Sequence, residues 1–156
     1  MKRIHSFPTF ALTLVALVLV SCKPADKAGT SGAPAATAER SLYERLGGKD
    51  AITAVVENFV ANVAADARIK GRFAKTNIPH LKQMLVDQIC QATGGPCTYT
   101  GRSMPDAHKG MHITEADFNA LVEDLTRSLD KFKVGEREKT ELLTALGGMK
   151  GQIVGA

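Results

Sequence analysis

The chain predicts an all-α fold. Apolar residues recur at helical spacing in four separate segments, helix-stop glycines and capping residues punctuate those segments, and no segment alternates with period two over strand length. No internal repeat or sustained heptad appears. From residue 40 to 156 the length fits one small domain with one core.

The elements follow in order. Ser41-Leu42-Tyr43-Glu44 matches a capping box, and Gly47-Gly48 ends that short helix. Asp50 is placed to cap the next helix, where Ile52, Val55, Val56, Phe59, Val60 and Val63 form one face. A looser stretch from Asp66 to Thr76 carries Ile69 and Phe73. Asn77 then caps a helix with Pro79 in its first turn. Leu81, Met84, Leu85, Gln88, Ile89 and Ala92 share a face of it, and Gly94-Gly95 stops it. Thr114-Glu115-Ala116-Asp117 is a further cap, followed by the stripe Phe118, Leu121, Val122, Leu125 and Leu129. The last helix is expected from about Gly135 to Leu146, with Leu142, Leu143 and Leu146 inward.

The N-terminus has the features of an export signal: Lys2 and Arg3, then the apolar run from Phe10 to Val20. That run is shorter than the ~20 apolar residues a membrane span needs. Leu19-Val20-Ser21-Cys22 resembles a bacterial lipobox, which implies lipidation of Cys22 and cleavage before it. Residues 1–21 are therefore expected as signal peptide and 22–39 as a flexible lipid-anchored tether, since Lys23 to Ala38 holds no large apolar residue. Lys23 is not the Asp that retains such chains at the inner membrane, so a periplasm-facing place on the outer membrane is favoured. The formal charge of +4 would halve with loss of Lys2 and Arg3, and no basic stripe interleaves with aromatics. Nucleic acid is not an expected partner.

An oxidising compartment would let Cys90 and Cys97 pair, because Gly94-Gly95-Pro96 permits a reversal between them. The plainer reading leaves Cys90 as a small buried hydrophobe on its helix.

The segment Tyr99 to Ile113 is the most chemically loaded. It is rich in glycine and proline, lies between two helical patterns, and holds His108, His112, Met104 and Met111. Neutral imidazole is the commonest protein ligand for transition metals and haem iron. Phe59, Phe73, Tyr99 and Phe118 fall on separate elements around it and could wall a flat aromatic cofactor, although each alone reads as ordinary core.

One family brings these features together. The pattern Leu42-Tyr43-Glu44-Arg45-Leu46-Gly47-Gly48, Phe59, Phe73 with Thr76-Asn77, Gly94-Gly95, Tyr99 to Met104, Ala107-His108-Lys109-Gly110 and Phe118 resembles a group I truncated haemoglobin from about Ser41 to Leu146. The resemblance implies a two-over-two helical sandwich around non-covalent b-type haem that reversibly binds a diatomic gas: oxygen, nitric oxide or carbon monoxide. It makes His108 the iron ligand, Phe73 a haem wall, and Met104, Ile113 and Phe118 the packing on the His side. An apolar slot for haem would account for Val56, Phe59, Leu81, Leu85 and Phe118. The absence of Cys-x-x-Cys-His argues against c-type attachment.

The departures bear on function. The family's gas-side Tyr matches Val60, and its two Gln positions match Leu81 and Leu85. A missing donor in a dry site costs roughly 1–3 kcal/mol, so oxygen is expected to leave faster than in members with Tyr and Gln. Gln88 is the one polar residue expected inward on that face, and Met84 is the candidate to fill an otherwise open sixth iron site. The resemblance also admits haem redox activity such as nitric oxide dioxygenation, which would require a reductase that the chain does not reveal, or peroxidase-like chemistry. The alternative from another class is a haem-free copper-binding lipoprotein using His108, His112 and the nearby methionines, since four-residue spacing on a helix puts two ligands on one face.

Overall fold

The computed structural model describes residues 39–156, so the expected signal peptide, nearly all of the tether and Cys22 lie outside the described residues. Among the described residues there are six α-helices and no strand. They are α1 (Leu42–Arg45), α2 (Gly48–Ala65), α3 (Ile78–Ala92), α4 (Met104–His108), α5 (Glu115–Lys131) and α6 (Glu136–Gly147). Short 3-10 turns occur at Lys70–Phe73 and Lys150–Gln152.

The caps operate largely as the residue types predict. Ser41 and Glu44 close a reciprocal capping box on α1, and Thr114 and Asp117 do the same on α5. Asn77 Oδ1 accepts from the His80 backbone N–H at 3.1 Å, with Pro79 in the first turn of α3. Helix α2 starts earlier than expected. Gly47, at φ +95°, is its N-cap, and Asp50 lies inside the first turn, where its charge still favours the helix N-terminus.

Helix α2 is the hub and packs against both α3 and α5. Its predicted face, Ile52, Val55, Val56, Phe59, Val60 and Val63, is buried throughout. The core continues with Ile69, Val86, Ile89, Cys90, Ala120, Leu125, Leu129 and Leu142. Helix α3 divides its apolar residues between two faces. Val86, Ile89 and Cys90 enter the core, while Leu81, Met84, Leu85 and Gln88 remain half-buried on the other side. Ala92 is exposed, contrary to its place on the expected single face.

Polar ties fix the seams. Asn62 on α2 donates to the Asp124 carbonyl at 3.2 Å and to Ser128 Oγ at 2.9 Å, joining α2 to α5. Arg45 pairs with Glu138 at 3.0 Å and with Glu141, joining α1 to α6. Cys90 and Cys97 form a disulfide, with Cα atoms 5.7 Å apart. The bridge anchors the chain leaving α3 just before the Tyr99 segment. No helix among the described residues is long and apolar enough to cross a membrane.

Candidate functional site

The half-buried face of α3 borders a cavity of about 660 Å³, within the size range of cofactor sites. Phe59, Val60 and Val63 of α2 supply one wall, and Leu81, Met84, Leu85 and Gln88 of α3 another. Phe73 follows from the 3-10 turn, and Leu121 from α5. The segment after the disulfide contributes Tyr99, Thr100, Gly101 and Arg102, and α4 contributes Met104, Ala107 and His108. Polar side chains concentrate in two stretches, Lys75 to His80 and Tyr99 to Arg102.

The geometry around His108 is specific. Its Nδ1 lies 2.8 Å from the Met104 carbonyl oxygen, one helical turn earlier. A carbonyl can only accept, so Nδ1 carries the proton. In a neutral imidazole this leaves the lone pair on Nε2, and the hydrogen bond sets both tautomer and ring orientation. His108 is the last residue of α4, which Ser103 opens by accepting from the Asp106 N–H at 3.3 Å. Tyr99 Oη donates to the Arg102 carbonyl at 2.8 Å and holds the approach to that helix. A Cβ on Gly101 would run into the Tyr99 ring, so glycine there allows the ring to fold against its own chain.

Of the residues expected around a haem, Phe59, Phe73, Leu81, Leu85, Tyr99, Met104 and His108 line this cavity, as do Val60, Met84 and Gln88. Ile113, Phe118 and Val56 do not. Val56 is fully buried in the core. Ile113 and Phe118 are buried away from the cavity lining, where Lys150 Nζ approaches the Phe118 ring at 5.8 Å. The cause is the turn after α4. Gly110 (φ +73°) and His112 (φ +49°) redirect the chain before α5 begins. His112 is exposed and off the cavity.

The same turn removes the shared helical face on which the copper reading paired its two histidines. Helix α4 ends at His108, so His108 and His112 share no helical face. Among the described residues no three His, Cys, Asp or Glu side chains group to hold a metal by themselves. Periodicity could not reveal Lys75, Thr76, Thr100 and Arg102 at the cavity, since they lie outside the long helices. Arg72 was also missed. It donates to the Met111 carbonyl at 2.7 Å and pairs with Asp117 at 2.9 Å, bracing the loop after His108.

Helices α2 and α3 over α5 and α6, with His108 presented to a largely apolar cavity, define a globin reduced to two helix pairs. Comparison with known proteins gives the same class. Residues 41–154 match the family model described as bacterial-like globin. The chain is 32% identical over 116 residues to a group 1 truncated hemoglobin of Tetrahymena pyriformis, covering 74% of this chain and 96% of that one. It is 36% identical over 113 residues to the group 1 truncated hemoglobin GlbN of Mycolicibacterium paratuberculosis, covering 72% and 83%. The crystal structure of the Tetrahymena pyriformis protein in its Fe(III) form superposes with a TM-score of 0.73 over 75% of this chain and 100% of that one. The 2/2 hemoglobin of Synechococcus sp. PCC 7002, 33% identical, superposes at 0.67 over 72% and 95%; its structure has covalently attached haem. The chain belongs to the bacterial-like globins, among the group 1 truncated haemoglobins.

Proposed function

We propose that the protein binds one b-type haem through His108 and takes up a diatomic gas reversibly. The observation that carries this reading is the His108 ring, with Nδ1–H committed to the Met104 carbonyl and Nε2 left with its lone pair on an apolar cavity. Haem, held there by His108, would supply an iron able to take up a diatomic gas. The chain's residues do the rest. Phe59, Phe73, Leu81 and Leu85 offer an apolar slot for the macrocycle, and burying it there is favourable at ~25 cal/mol per Å². Lys75, His80 and Arg102 set basic groups on the same cavity, where carboxylates of the haem edge can be met. With no Cys-x-x-Cys-His in the chain, retention rests on this packing and on His108 rather than on a c-type linkage.

The test is the absorption spectrum. His108→Ala is expected to abolish the Soret band or let haem escape readily, while His112→Ala leaves it nearly intact. Unchanged haem retention and axial-ligand spectra in His108→Ala would refute the assignment.

We further propose that this globin is exported and lipid-anchored on a membrane facing the periplasm. Support comes from the Leu19-to-Cys22 lipobox resemblance and the polar tether after it. Acyl chains contribute about 0.8 kcal/mol per buried methylene, so two or more hold firmly. Cys22→Ser is expected to release the protein from the membrane fraction or leave it unprocessed. Recovery of the wild type as a soluble cytoplasmic protein would end this reading.

A further inference from the structure

Gln88 is out of place on its wall. Beyond His80 in the first turn of α3, the residues this helix offers to the cavity are Leu81, Met84, Leu85 and Gln88, and only the last is polar. An amide on an apolar surface is costly unless its donors find partners. Here Gln88 Nε2 finds two sulfurs from two other elements. It lies 3.5 Å from Met104 Sδ and 3.4 Å from Met149 Sδ. Thioethers are weak acceptors, but a poorly solvated site strengthens what hydrogen bonding there is.

The importance of the contact lies in what Met104 does. It is the first residue of α4, and its carbonyl orients the His108 ring. Helix α4 has five residues, far below the ~12–15 at which an isolated helix becomes even marginally stable. It must be held from outside. Ser103 caps it, Tyr99 ties the Arg102 carbonyl just before it, and Gln88 grips the Met104 side chain from α3 while also touching Met149 beyond α6.

We propose that Gln88 is a positioning residue for His108, acting through Met104, and not a donor to the gas. This rests on the haem reading above for its spectroscopic consequences, but the chain of contacts exists in the protein alone. Gln88 donates to Met104 Sδ, that grip sets where the Met104 carbonyl sits, and the carbonyl sets the direction of His108 Nε2.

Gln88→Met keeps side-chain length and removes the donor. Met104→Leu keeps volume and removes the acceptor. In the haem-loaded ferrous protein, each is expected to shift and broaden the iron–histidine stretch in the resonance Raman spectrum. Each should also speed haem loss about tenfold or more, the scale on which outer-shell partners act. The double variant should do no more than Gln88→Met alone, because both changes remove the Gln88–Met104 contact. A variant that speeds oxygen release and leaves the iron–histidine stretch unmoved would overturn the proposal, and so would one that changes neither.

A second measurement needs no haem. In the ¹⁵N-labelled protein without cofactor, the His108 ring is expected to show one tautomer, protonated at Nδ1, in wild type and a mixture in Gln88→Met. A wild-type-like ring in Gln88→Met would overturn the proposal. A wild type that never yields a Soret band would overturn the haem reading while leaving this ring measurement to decide the role of Gln88.

Discussion

Val60 is almost fully buried, lines the cavity, and stands among Leu81, Met84 and Leu85 with no hydrogen-bond donor on its side chain. The amide of Gln88, one turn beyond Leu85, is turned toward Met104 and Met149. A polar gas in this environment gains little from the protein beyond the iron. Val60→Tyr is therefore expected to slow oxygen dissociation about tenfold or more, since 1.4 kcal/mol is a factor of ten and one good hydrogen bond is of that order. Stopped-flow release from the ferrous protein measures it. A wild type that already releases oxygen as slowly as the variant would mean that another donor reaches the gas. At this scale the sequence was most legible where a residue type has one dominant chemistry. His108 and Phe73 could be placed from their motif neighbours, and both line the cavity. Ile113 and Phe118 were less legible. Whether they face the cavity depends on the turn at Gly110 and His112, and turn geometry leaves no periodic trace.

Among the elements, the long helices were readable because their burial follows from spacing, as all six expected residues of α2 show. Helix α3 was only half readable. Its apolar residues serve two surfaces, the core and the cavity, and a count of apolar positions cannot separate them. The segment from Cys97 to Arg102 has no regular structure but supplies a cavity wall, so its order must come from its ends. The Cys90–Cys97 disulfide holds one end, and the backbone N–H of Tyr99 donates to Gln91 Oε1 at 2.6 Å. Closing so short a loop is worth about 2 kcal/mol on the chain-entropy account. The double variant Cys90→Ala, Cys97→Ala is expected to lower unfolding free energy by about that amount. It should also raise amide exchange from Tyr99 to Arg102 more than in α5. Uniform protection across the chain in that variant would show that the bridge does not order the wall.

The whole molecule carries opposed carboxylates, and their signs decide how stability changes with pH. Arg68 holds Asp66 below the ordinary carboxylate range by hydrogen bonding, Thr114 does so for Asp117 through its backbone N–H, and Arg137 for Glu141. A depressed carboxylate adds stability above its unfolded pKa and loses it as pH falls through the folded value. All three therefore weaken the fold below about pH 4. Asp124 runs the other way. It is completely buried at the α2–α5 seam, one of its oxygens has no partner, and burial pushes its pKa up despite the pairing with Arg127. A raised carboxylate favours the fold while protonated and withdraws that support as pH rises through the folded value. Urea midpoints across the pH range are thus expected to fall steeply on the acid side and to ease downward from a maximum above it. Asp117→Asn should flatten the acid limb relative to wild type, and Asp124→Asn should flatten the other. If Asp124→Asn instead follows the wild-type curve in shape throughout, the buried carboxylate is not titrating in that range and Arg127 keeps it charged.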